Sequence, residues 1–164
     1  MYRTLRPLLF LLPPEMAHKV SLTGLKILHK LGLSRLFFGR AKNNPVECFG
    51  LQFKNPVGIA AGLDKNGDYI DCLASLGVGF IEVGGVTPKP QLGNPKPRLH
   101  RLIKQNALIN WMGLNNKGID YLVDNLKNCQ HKCLIAVNLA RNKTTPNERA
   151  EDDYIHSLTK VFPY

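Results

Sequence analysis

Long apolar runs are missing from this sequence. None approaches the roughly 18–20 residues that a membrane-crossing helix needs. Cysteine is sparse: four in 164 residues, without paired spacing, exclude a secreted disulfide framework. No secretory cleavage pattern marks the start, so a reduced, intracellular compartment is expected. Cys129-Gln130-His131-Lys132-Cys133 has half the look of a zinc loop, but no second ligand cluster accompanies it, and no metal is expected. Aromatic residues make up 8% of the chain and do not interleave with the basic ones, which argues against a nucleic-acid stacking surface. Acid is what the first quarter lacks. Residues 1–42 hold eight Lys and Arg against the single Glu15, so most of the net +10 lies there, and an acidic partner surface is expected.

What is present begins with residues 5–12, too short to span a bilayer and too apolar for an ordinary solvated end. Residues 15–31 read as a helix with Ala17, Val20, Leu25, Leu28 and Leu31 along one side and Lys19, Lys26 and Lys30 mostly elsewhere. A further apolar piece follows at 33–38. Basic flanks with Leu and Phe on the other face suit a helix lying on anionic lipid. An amphipathic helix packed on its own domain fits the same pattern.

From residue 46 the pattern changes to strands alternating with helices, which argues a parallel α/β sheet with crossovers. A short strand pair over 46–53 turns near Gly50. Strands are expected at 57–61, 80–83 and 134–139, and helices at 67–77, around Ile119, Leu122, Val123 and Leu126, and at 148–161. That makes three βα units. The stretch 84–115 is too long for a plain connection. Pro88, Pro90, Pro95 and Pro97 stiffen it, residues 98–103 and 107–110 can pair as a hairpin, and a rigid site-forming loop is expected.

The organising stretch is Asn55-Pro56-Val57-Gly58-Ile59-Ala60-Ala61-Gly62-Leu63-Asp64-Lys65-Asn66-Gly67. Small residues at a strand's carboxyl end let a flat ligand lie against backbone, and Lys65 sets a cation beside it. These words resemble the first barrel strand of the dihydroorotate dehydrogenases. Ile81-Glu82-Val83-Gly84, Val86-Thr87-Pro88-Lys89-Pro90-Gln91, Gly93-Asn94-Pro95-Lys96-Pro97-Arg98, Leu108-Ile109-Asn110, Met112-Gly113 and Asn115-Asn116 follow in the family's order. Arg6-Pro7-Leu8-Leu9-Phe10 and Glu15-Met16-Ala17-His18 resemble the amino-terminal extension of its class 2, membrane-associated, quinone-dependent members, with Pro13-Pro14-Glu15 where an Asp N-cap is usual.

The resemblance implies a (β/α)8 TIM barrel of which these residues supply about three units (46–164), preceded by a helical membrane and quinone-entrance segment (1–42). It implies FMN as cofactor, and dihydroorotate, orotate, a quinone and the cytoplasmic face of the inner membrane as partners. By motif, Ala61, Gly62, Leu63, Asp64, Lys65, Gly85 and Asn138 fall on the flavin. Lys65, Asn110, Trp111, Met112, Gly113 and Leu114 fall on the pyrimidine, and His18 and Arg101 on the quinone side.

Departures accompany the likeness. Gly85 stands where the family carries Thr or Ser, Trp111 and Leu114 where it carries Arg and Phe, and Leu139-Ala140-Arg141 where it carries Ile-Gly-Lys. Together they suggest relaxed constraint. A full barrel needs eight units and roughly 250 residues. The resemblance places the family's serine base and its phosphate-binding glycine loops past Tyr164, so no catalytic base is expected within these residues. The chain alone is expected to bind FMN weakly or not at all and to be inactive. Three readings stand: a split or truncated dehydrogenase, a membrane-binding relic, and half a barrel completed by a complementary carboxy-terminal chain.

Overall fold

A computed structural model describes residues 2–34 and 43–164. The expected apolar piece at 33–38 falls outside them from residue 35 on. Helices α1 (Tyr2–Phe10) and α2 (Pro14–Lys30) come first, then the hairpin β1 (Val46–Cys48) and β2 (Leu51–Phe53). After β3 (Gly58–Ile59) come α3 (Ile70–Ala74) and β4 (Phe80–Val86). The long connection carries a second hairpin, β5 (Leu99–Leu102) with β6 (Ala107–Asn110), before α4 (Ile119–Lys127), β7 (Leu134–Leu139) and α5 (Ala150–Val161). Strands β3, β4 and β7 form one parallel sheet in that order. The three βα units, the first hairpin and the insertion hairpin expected from the pattern are all present.

Three elements differ from expectation. The strand expected at 57–61 pairs only at Gly58 and Ile59, because the Ala61 N–H goes to the Glu82 carboxylate (3.2 Å) rather than to a ladder carbonyl. The helix expected at 67–77 is confined to Ile70–Ala74: Asp64, 2% exposed, accepts the N–H groups of Asp68 (2.9 Å) and Tyr69 (2.7 Å) and holds the preceding residues in a turn. The strand expected at 80–83 runs on to Val86, pairing β7 through a register shift between Gly84 and Val86.

The core lies between the sheet and its helices. Ile81 and Val83 on β4 meet Ile70 and Leu73 of α3 and Ile119 and Leu122 of α4, all buried. Each such side chain contributes about 1.5–3 kcal/mol on leaving water. Side chains alternate across a strand, so Glu82 between Ile81 and Val83 faces the opposite side of the sheet, where the barrel interior would be.

Helix α2 starts on Pro14 behind Pro13, with no side-chain cap, as the missing Asp foretells. Its Leu22 joins the core and Ala17 is buried, while Met16, Val20, Ile27 and Leu31 stay exposed. The side predicted to be apolar is therefore divided: Ala17 and Leu25 face the domain, Val20 and Leu31 face outward. Lys26 adds a tie to the domain, donating to the Asp68 carbonyl (2.8 Å).

The insertion is held by two buried amides. Asn116 accepts the N–H groups of Thr87 (3.3 Å) and Gly118 (2.8 Å) and donates to Thr87 Oγ1 (2.8 Å) and the Leu114 carbonyl (2.7 Å). Asn142, just past β7, accepts the Lys89 N–H (3.0 Å) and donates to the Lys89 carbonyl (2.8 Å) and Gln91 Oε1 (3.0 Å). Asn116→Ala strands two buried N–H groups and is expected to cost about 2–4 kcal/mol. Urea unfolding should show a lower midpoint at unchanged slope, whereas Asn128→Ala, at an exposed helix end, should stay within about 0.5 kcal/mol of the parent.

Candidate functional site

A cleft opens at the carboxyl ends of β3 and β4, walled by α2 on one side and the insertion on the other. Ala61, Gly62, Leu63, Asp64, Lys65 and Gly85 line its floor together with Asn138 from the end of β7. Asn110, Trp111, Met112, Gly113 and Leu114 line the insertion side, and His18 reaches in from α2. Arg101 stands apart from this lining. Its guanidinium donates to the carbonyls of Leu12 (2.8 Å), Phe10 (3.3 Å) and Leu9 (3.3 Å), and lies 4.4 Å from the Phe10 ring centre. It caps the carbonyl end of α1, a local duty the sequence does not announce.

The backbone makes the floor. Gly84 has φ +106, and a Cβ on it would stand 2.3 Å from the Asn138 carbonyl oxygen. Gly84 accepts the Gly62 N–H (2.8 Å) and donates to the Asp64 carbonyl (3.1 Å), which locks the turn after β3 onto β4. On the opposite wall Gly113 has φ +71, and a Cβ there would stand 2.8 Å from the Asn94 nitrogen. Asn94 itself braces that wall, donating its backbone N–H to the Met112 carbonyl (3.0 Å) and its side-chain amide to that of Trp111 (2.7 Å). The Trp111 indole donates to the Pro97 carbonyl (3.1 Å).

The electrostatics favour an anion. Burial, and then Arg98, hold the Lys65 ammonium below the ordinary lysine pKa, so an incoming negative group relieves both costs. Burial and then Lys65 lower the His18 pKa, against a hydrogen bond to the Leu63 backbone. Burial pushes the Glu15 carboxyl upward, but Arg98 (2.9 Å) and Lys96 (3.5 Å) outweigh it and keep the group below its usual range. Arg98, 7% exposed, also donates to the carbonyls of Leu92 (2.6 Å) and Asn94 (2.9 Å).

Sequence reasoning passed over Glu15, Asn94 and, above all, Glu82. The signal for Glu82 was available: it is the one charged residue in the strand Phe80–Val86. The departures at 85, 114 and 140 also gain a meaning. A Cβ on Gly85 would stand 3.1 Å from Leu114 Cδ2, 3.2 Å from Asn138 Oδ1 and 3.7 Å from Ala140 Cβ. Leu114 and Ala140 border the space left at Gly85, so these departures meet at one patch of wall.

The family model for dihydroorotate dehydrogenase matches residues 44–164. A dihydroorotate dehydrogenase (quinone) of Psychrobacter arcticus is 55% identical over 99% of this chain, and that of Acinetobacter baylyi is 51% identical over all of it. The chain spans about half the length of these relatives, 47% and 48%. The crystal structure of DHODH from Eimeria tenella in complex with ferulenol superposes with a TM-score of 0.76 at 38% identity, covering 90% of this chain and 40% of that one. These matches agree with a partial α/β barrel. The chain belongs to the dihydroorotate dehydrogenase family.

Proposed function

We propose that this chain supplies the flavin platform and the substrate-gripping wall of an FMN-dependent dihydroorotate dehydrogenase that passes electrons to a quinone in pyrimidine synthesis. One observation carries the reading: all the residues expected on the flavin and the pyrimidine line a single cleft. The floor fits a flat ring, since a Cβ on Gly62 would meet nothing within 4 Å and Ala61 beside it is small. FMN, when bound, supplies the hydride acceptor. Lys65 then balances negative charge on ring and substrate, as an ammonium in a partly dry site does well. Asn110 and the Gly113 backbone orient the pyrimidine against the braced insertion. The proton-accepting role is assigned to none of the described cleft residues.

The relatives' greater length, the β7 edge and the exposed Ile155 and Leu158 of α5 support a complementary carboxy-terminal half as partner. Co-production of this chain with the remaining half of the Psychrobacter arcticus relative should yield a yellow complex that reduces quinone in the presence of dihydroorotate. Lys65→Ala in that complex should lower kcat/KM by about 10–100-fold. A colourless complex would overturn the flavin assignment.

The amino-terminal helices favour a peripheral seat on the cytoplasmic face of the inner membrane, with His18 on the quinone's path. No described helix is long and apolar enough to cross a membrane, yet Leu5, Leu8, Leu11, Met16, Val20, Ile27 and Leu31 are all exposed. The chain should sediment with anionic vesicles, each basic side chain near the surface adding about 1 kcal/mol. High salt should release only part of it, and Leu8→Asp with Leu11→Asp should remove the remainder. Complete release by salt would leave attraction by charge alone.

A further inference from the structure

Glu82 occupies a position that the proposed reaction leaves unexplained. It sits on the central strand of the sheet, facing the cleft side, and both of its oxygens are engaged by cleft residues. Oε2 accepts the Ala61 N–H (3.2 Å) and Oε1 accepts the Asn138 side-chain amide (2.9 Å). These partners come from the two neighbouring strand ends, so one carboxylate ties the floor of the cleft across three strands.

We propose that Glu82 is a positioning residue: it takes up the Asn138 amide hydrogens, so that Asn138 turns its carbonyl oxygen toward the cleft. An ionised carboxylate has no hydrogen to give, so only the NH2 end of Asn138 can face it. Asn138 Oδ1 accordingly points to the Gly85 side, 3.2 Å from where a Cβ on that glycine would stand. The wall at this point is a hydrogen-bond acceptor and suits a ligand edge that carries an N–H or O–H. Gly85 keeps the approach open. The inference deepens the flavin-platform reading and rests on it for the nature of the ligand, but the orientation of Asn138 is a property of the ligand-free chain.

Glu82→Gln makes the opposite arrangement. The Ala61 N–H cannot turn away and must keep the glutamine oxygen, which leaves the glutamine NH2 facing residue 138. The Asn138 amide then has to rotate, presenting its oxygen inward and its NH2 to the cleft.

The test is NMR on the full 164-residue chain labelled with 15N, with Asn138→Ala used to identify the side-chain amide signal. In the parent chain the Asn138 amide protons should show contacts to the Glu82 methylenes and none to the Gly85 α-protons. In Glu82→Gln the Gly85 contacts should appear, and amide exchange with water should quicken by about tenfold as a charge-assisted bond is lost. Contacts to Gly85 in the parent chain overturn the proposal whether or not the variant folds. So does a variant whose amide keeps the parent's contacts and exchange rate. A parallel FMN titration monitored by flavin fluorescence reports on the platform reading alone: its failure would count against that function and leave the Glu82 result standing.

Discussion

The cleft depends on two side-chain amides where a peptide ladder would normally serve. The connection between β4 and α4 is rich in proline, and proline brings no N–H to a ladder. Its buried backbone groups still need partners. Asn116 and Asn142 provide them, each spending both ends of its amide on the Thr87–Gln91 segment or its neighbours. Asn116 belongs to the far end of the insertion and Asn142 to the exit of β7, so the loop is held from two directions. Apart from the β5–β6 hairpin and the backbone pair between Gln91 and Asn116, the segment is thus held by side-chain hydrogen bonds rather than by a strand ladder.

On that frame the charges make sense. Lys65, Arg98 and His18 converge from three separate parts of the chain, and burial burdens both Lys65 and His18 when they are charged. The Lys65 ammonium, held against burial and Arg98, is complementary to an anion, while the lowered His18 pKa favours its neutral imidazole at neutral pH. Of the nearby carboxylates, Glu15 neutralises Arg98, whereas Asp64 is taken up by the turn before α3 and Glu82 by Ala61 and Asn138.

Much of this was legible in the sequence because it is carried by periodicity and by contiguous words. The βα alternation, both hairpins and the cleft residues from Ala61 to Lys65 all lie within short stretches. What escaped depends on distant partners. Strand β3 ends early because Glu82, on another strand, captures the Ala61 N–H. Helix α3 is short because Asp64 competes for the N–H groups that a helix start would leave free. Gly85, Leu114 and Ala140 look like independent drift until their shared patch is seen. Arg101 could be matched by position to a quinone site, but its carbonyl partners nine to twelve residues from the chain start could not be foreseen.

Arg98 carries a consequence for cooperativity. Its guanidinium joins α2, through Glu15, to the carbonyls of Leu92 and Asn94, across more than half of the chain. Lifting α2 would leave that buried cation facing only neutral acceptors, a costly state. The seating of α2 and the seating of the insertion are therefore energetically linked through this ion pair. Glu15 on α2 and Arg98 in the insertion thus meet directly, by a contact that does not run through the sheet.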